Sequence, residues 1–373
     1  MTAKPVDETD AVKAAITNDI SITRSGAVAT IVLNRVRALN ALTIDMRAKF
    51  AEAIPRLARD TDLYAVLVRS DSPKAFSAGG DVRELIALYK TDPSASCQAF
   101  ADEYGLNWTL DCFSKPTVSL IDGVVMGSGV GLSIYNTHRV AGERYRFAMP
   151  ETAIGLFPDV GVAHALSRLP NEVGTFLGLT GRLIGRADAF NLGLVTHCIA
   201  AERFPEIEDA LADAQTIDPL LDGMHESPGN GDLEPHETLI AECFAANSME
   251  QIMDRLEKVQ GEQKGFAEGV MADLAKKSPT ALKITLRHLR QASSMGLREV
   301  LTMDQRLACR CLQGYDFAEG VRAALIDKDN LPVWKPADLE SVSDAEVESY
   351  FAPLPSELEL ELPTREQMQA LRI

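Results

Sequence analysis

The chain has no run of about 18 apolar residues, the length a helix needs to cross a bilayer, so no membrane span is expected. It is also short of positive charge: 37 Lys and Arg stand against 54 Asp and Glu, a formal net charge of −17. A nucleic-acid partner, which needs a basic face, is excluded on that ground, and any anionic ligand must find a local cluster of cations. Six cysteines (Cys97, Cys112, Cys198, Cys243, Cys309 and Cys311) contain no CxxC pair and read as buried free thiols. The six histidines lack metal-ligand spacing, so no metal is expected. The opening MTAKPVDETDAVKAA has neither the apolar core of a signal peptide nor the arginine-rich, acid-poor character of a transit peptide. Residues 1–18 are therefore expected to be a flexible polar start, and the cytoplasm is the expected compartment.

What is present is an ordinary globular composition over 373 residues, 46% hydrophobic and 24% charged, enough to bury a sizeable core. Residues 20–24 and 27–33 are β-rich runs joined at Ser25-Gly26, a hairpin signal. Thr43 caps a helix over 44–59 with Met46, Phe50, Ile54 and Leu57 on one face. A short buried strand at 65–69 leads to Ser77-Ala78-Gly79-Gly80-Asp81, a glycine turn that opens a helix from Val82. A long helix over about 96–113 delivers Glu103 and Tyr104. A strand at 117–121 then runs into a second glycine turn, Gly127-Ser128-Gly129-Val130-Gly131, which opens a short helix.

Strands alternating with helices around glycine turns predict an α/β layered fold. Helices follow over about 161–193 and 202–214, with a strand at 194–198 between them. Residues 222–235, DGMHESPGNGDLEP, are rich in Gly, Pro and acids and read as a surface loop. Helical patterns then dominate, at about 236–246, 249–258, 264–276, 279–294 and 297–312. The expected organisation is a flexible start (1–18), an α/β core with the active site (19–221), the acidic loop (222–235) and a helical C-terminal region (236–373). The turns at 77–81 and 127–131 echo each other weakly, and no fixed repeat period is visible.

If the two glycine turns face one another, the N–H groups of Gly80 and Ser128 can aim at one oxygen, as in an oxyanion hole. Glycines that only supply positive φ or close packing are the plainer alternative. Glu151 after Pro150 and Asp159 after Pro158 follow as candidate acid/base or nucleophilic groups. Taken singly, each also suits a structural role, as a first-turn acid and a turn aspartate. A dinucleotide site is disfavoured, because the third glycine of G-x-G-x-x-G is Leu132 here and Glu151 does not end an apolar strand.

The segments KAFSAGGD (74–81) and 116–161 resemble the crotonase, or enoyl-CoA hydratase/isomerase, superfamily. That resemblance implies a spiral of ββα units with a helical C-terminal lobe that often trimerises. It also implies an acyl-CoA substrate whose thioester carbonyl is held by the N–H groups of Gly80 and Ser128. Ser128 departs from the usual glycine, so a Cβ must fit there. Of the two glutamates of a hydratase, one matches Glu151; the other falls on Gly131. Four segments, MPETAIGLFPDVG (149–161), Asp102-Glu103-Tyr104, SPTALKITLR (278–287) and VRAALIDKDNLPVWKPADL (321–339), are similar to the 3-hydroxyisobutyryl-CoA hydrolase branch.

By that resemblance Glu151 and Asp159 are catalytic, with Glu151 a nucleophile or a general base. Glu103 and Ser128 match substrate-contacting positions, and Gly131 leaves room for a water or a branched acyl group. Arg35, Arg37, Ala78, Asp81 and Arg83 are placed at the coenzyme A grip, with Lys276, Lys277 and Lys283 as further cations. Val36 stands where the superfamily loop usually has proline. The implied activity is thioester hydrolysis in valine breakdown with no cofactor, coenzyme A being part of the substrate. A homo-oligomer, trimer or hexamer, is also implied. An enoyl-CoA hydratase or isomerase and a non-catalytic acyl-CoA-binding protein are the alternatives.

Overall fold

The computed structural model describes residues 19–373; the flexible start and missing leader expected over residues 1–18 lie outside the described residues. β1 (Ile20–Ser25) and β2 (Val28–Leu33) form the antiparallel hairpin, turning at Gly26. β2 runs parallel to β3 (Ala65–Ser70), and the sheet continues through β5 (Thr117–Ile121) and β7 (His138–Ala141) to β10 (His197–Cys198), all parallel. VATIVL and TVSLI are buried at every position, as a parallel sheet covered on both faces requires. A second sheet orders β4 (Ala75–Ser77), β6 (Val124–Met126), β8 (Arg146–Ala148) and β9 (Ile184–Gly185), the first three parallel.

The helices follow from local chemistry. α1 (Ile44–Arg59) starts where Thr43 Oγ1 accepts from the N–H of Met46, and it buries Met46, Phe50 and Ile54. α2 (Val82–Thr91) is capped by Asp81, and α3 (Pro93–Asp111) by Asp92 with proline at the first helical position. α3 therefore begins three residues before the expected start. α4 (Ser128–Gly131) is the short helix after the second glycine turn.

Long strand, short strand, turn: this unit occurs three times, as β3-β4-α2, β5-β6-α4 and β7-β8 followed by a 3₁₀ turn at Glu151–Ile154. The echo between the two glycine turns is thus real and has a third member. Its long strands begin at residues 65, 117 and 138, intervals too unequal to show as a period.

Helices Glu237–Phe244, Met249–Glu257, Lys264–Leu274, Pro279–Ala292 and Leu297–Gln313 follow the expected patterns. One continuous apolar cluster runs from Ile20 in β1 to Ile373, so these helices share the core of the sheets. Three details differ from expectation. Helix Ile217–Met224 carries the chain into the stretch assigned to the acidic loop, because Leu221 and Met224 have a core to join. The strand at 194–198 shrinks to His197–Cys198, and two-residue β9 had no sequence signal at all. All six cysteines are buried and unpaired.

Candidate active site

Neighbouring strands lie about 4.8 Å apart, so the parallel trio β4, β6 and β8 brings the three residues that follow them side by side. Gly79-Gly80 comes one residue after Ser77, Gly127-Ser128 directly after Met126, and Pro150-Glu151 one residue after Ala148. All three turns line one cavity of about 330 Å³. The two glycine turns face one another: a Cβ on Gly80 would stand 2.9 Å from Ser128 Oγ. Gly127, at φ +46, would bring a Cβ within 2.9 Å of Glu151 Oε1 and 3.4 Å of Gly79 Cα, so only glycine allows this approach. The Ser128 hydroxyl is accommodated because residue 80 has no Cβ, whereas the Ser128 Cβ would stand at an ordinary 3.9 Å from one.

Among the described residues, neither the N–H of Gly80 nor that of Ser128 makes a hydrogen bond. Ser128 opens α4, where the leading amides have no partner within the helix. Two free amides beside a glutamate can stabilise an oxyanion.

Glu151 is buried at the start of its 3₁₀ turn. The turn is pinned by Thr152, whose hydroxyl donates to Leu179 O at 3.1 Å and whose carbonyl accepts from Ser278 N at 3.1 Å. Glu151 Oε2 is buried with no hydrogen-bond partner, an arrangement that costs stability. Burial pushes the carboxyl up to about 8, against a weaker pull downward from Lys277.

Folding stability responds with a definite sign. The folded chain keeps a proton on Glu151 that the unfolded chain releases in the ordinary carboxylate range. This contribution is complete below that range and is lost as pH rises to about 8. Melting followed between about pH 5 and about pH 9 should therefore show a steeper loss of Tm for the wild type than for Glu151→Gln.

Asp159 accepts a hydrogen bond from the Tyr104 hydroxyl at 2.9 Å. Burial, then the neighbouring Glu103, Glu151 and Asp304, holds its carboxyl well above the usual range. Glu103, one residue before Tyr104 on α3, is paired with Arg47 of α1. Asp304 sits behind the site, bonded to His288 at 2.7 Å and to the N–H of Gly161 at 2.6 Å. Glu151, Asp159, Gly80, Ser128 and Glu103 thus meet in one cavity.

Two expectations need correction. Gly131 does not leave space and does not line the cavity: a Cβ there would meet Asn107 Nδ2 at 2.8 Å and Val160 Cβ at 2.9 Å. The coenzyme A grip is only partly as expected. Arg35 is committed to Asp81 at 2.9 Å and to the carbonyl of Ala41 at 2.9 Å, and Asp81 also caps α2, so this pair builds the loop. Ala78 lines the cavity with its N–H bound to Leu39 O. Arg37 and Arg83 remain exposed. Lys283 is tied to Glu250 and Val342 O, away from any ligand, whereas Lys276 is exposed and Lys277 acts on Glu151.

Arg47, Ala324 and Leu325 also line the cavity and were not foreseen. Arg47 had one signal: it shares a helix face with Phe50 and Ile54, at i+3 and i+7, where a charge is out of place. Ala324 and Leu325 arrive from the turn Arg322–Ile326, far along the chain; they lie in the segment 321–339 that carries the family likeness, which gave them no place in the site.

A family model described as enoyl-CoA hydratase/isomerase matches residues 28–351. The mitochondrial 3-hydroxyisobutyryl-CoA hydrolase of Rattus norvegicus is 42% identical over 351 residues, 91% of this chain and 90% of that protein. The human mitochondrial protein of the same name is 41% identical over 91% and 89% of the two chains. Among solved structures, a carnitinyl-CoA dehydratase from Mycobacterium thermoresistibile superposes with a TM-score of 0.87 at 34% identity, covering 92% of this chain and 99% of its own. An enoyl-CoA hydratase from Rhodobacter sphaeroides 2.4.1 gives 0.86 at 35%, over 92% and 100%. The spiral of ββα units is thus the crotonase fold. The expectation of a cytoplasmic protein is overturned by these relatives, which are mitochondrial enzymes; its basis, the composition of the first residues, was too slight a signal.

Proposed function

The chain belongs to the enoyl-CoA hydratase/isomerase family, and we propose that within it the protein hydrolyses 3-hydroxyisobutyryl-CoA to 3-hydroxyisobutyrate and coenzyme A, a step of valine breakdown. The observation that carries this reading is one buried glutamate beside two unengaged amides, with glycine, Gly131, at the place where the family resemblance puts a hydratase's second glutamate. Asn107 and Val160 fill the space that glutamate would take.

The thioester oxygen accepts from the N–H groups of Gly80 and Ser128, which stabilise the negative charge that grows there. Ionised Glu151 either attacks the carbonyl carbon, giving an anhydride that water then cleaves to free the acid and the glutamate, or takes a proton from a water that attacks directly; in both cases the C–S bond breaks and the sulfur leaves as the protonated thiol. Asp159, whose carboxyl burial and the neighbouring acids hold well above the usual range, is a proton donor suited to that departure. The exposed Arg37 and Arg83 meet the phosphates of coenzyme A, with Ala78 and the Arg35–Asp81 pair shaping the loop.

The test is to mix the protein with 3-hydroxyisobutyryl-CoA and with crotonyl-CoA. Thiol release from the first, without loss of the enoyl absorbance of the second, is the expected result. Hydration of crotonyl-CoA, or binding of either thioester without turnover, overturns it. Because Glu151 must be ionised to act, kcat/KM for thiol release should climb with pH and level off above about 8. A rate already flat from about pH 6 would remove Glu151 from that role.

A further inference from the structure

Arg47 sits on the buried stripe of α1 and is joined to Glu103 of α3, the two side chains only 8% and 4% exposed. A buried ion pair is a poor way to hold two helices together, since well-packed apolar residues often do as well or better. This pair does something besides: both partners line the cavity that holds Glu151 and Asp159. Glu103 engages one terminal nitrogen of the guanidinium, and among the described residues its other N–H groups have no acceptor. Asp159 is close enough to feel both Glu103 and Glu151, so the three carboxylates and the one guanidinium form a single polar wall.

That wall has a definite chemical complement. A carboxylate only accepts and a guanidinium only donates, whereas an alcohol does both. We propose that Arg47 is a specificity-determining residue, donating a hydrogen bond to a hydroxyl on the acyl chain while Glu103 or Asp159 accepts that hydroxyl's proton. This inference rests on the hydrolase reading and extends it. A plain branched acyl group leaves the guanidinium donors facing hydrocarbon, the situation by which polar sites reject analogues that lack a hydroxyl. An acyl group ending in a carboxylate meets three acidic side chains with only one guanidinium among them.

The experiment compares kcat/KM for thiol release from 3-hydroxyisobutyryl-CoA and isobutyryl-CoA. The proteins are the wild type, Glu103→Gln, Arg47→Lys and the double variant Arg47→Met/Glu103→Gln. The double variant removes both charges, so no lone ion is left buried, and thermal melting checks its fold. The wild type should prefer the hydroxylated thioester by about 100-fold or more. Glu103→Gln, whose amide oxygen still accepts from Arg47, should keep most of that preference. Arg47→Lys, which keeps the charge but loses the fork, should keep part of it. In the double variant the preference should collapse to within about threefold, almost wholly through loss on the hydroxylated substrate. Equal losses on both substrates in a folded double variant would make the pair structural and overturn the inference. So would an unchanged preference, or a wild type that hydrolyses both thioesters alike, the hydrolase reading surviving in each case. A wild type that releases thiol from neither overturns the hydrolase reading and this inference together.

Discussion

Glu151→Gln should lower kcat for thiol release by about 10³-fold or more while leaving the Kd of the acyl-CoA within about threefold. The amide keeps the size and shape of the carboxyl, so the approach of Gly127 to Oε1 and the pinned Thr152 turn are undisturbed. What it removes is the negative charge, and with it the ability to attack the carbonyl carbon or to take a proton from water. The coenzyme A contacts proposed for Ala78, Arg37 and Arg83 do not involve Glu151, which is why affinity should survive. The same change should raise Tm near pH 8, because an isolated buried carboxylate is a cost the fold carries for function. Single-turnover thiol release and calorimetric binding separate these effects. A variant with the wild-type rate would leave Glu151 a structural acid, and a variant that binds nothing would mean that its charge shapes the cavity.

How far this site was legible depends on how local its causes are. Thr43, Asp81 and Ser278 act within three residues of themselves, so the helix starts they cap followed from spacing alone. The β-rich run of β2 and the short strand of β5 were legible for the same reason, though their parallel pairing was not. Glu151 is different. Its role comes from β8 lying beside β6, a pairing written in no local pattern, and its turn lacks the glycines that marked the other two. Without the likeness to a known family it reads as a first-turn acid.

Gly131 shows the opposite error. A missing side chain makes room only if nothing else moves in, and Asn107 and Val160 come from segments about two dozen residues before it and about thirty after. Arg47 was hidden because its partner stands 56 residues away on another helix. A charge on an apolar stripe looks like noise until the facing helix supplies its counter-ion.

The amide half of the proposed mechanism has its own decisive substitution, Ser128→Pro. Ser128 is the first residue of α4, the helical position at which proline fits best, and its N–H serves no other group among the described residues. The preceding residue is Gly127, which has no Cβ for the proline ring to strike. The exchange therefore deletes one N–H donor with little else changed, and kcat should fall by about 10² to 10³-fold, the cost of losing one arm of an oxyanion hole. Ser128→Gly keeps the N–H and removes only the hydroxyl, so it should stay within about tenfold, or about 1.4 kcal/mol, of the wild type. Measured with melting curves that confirm both variants fold, the pair tells backbone from side chain. A proline variant as fast as the wild type leaves the thioester oxygen without the second donor assigned to it. A glycine variant as slow as the proline one transfers that role to the Ser128 hydroxyl, which stands 2.9 Å from where a Cβ of Gly80 would be and is as well placed to reach the same oxygen.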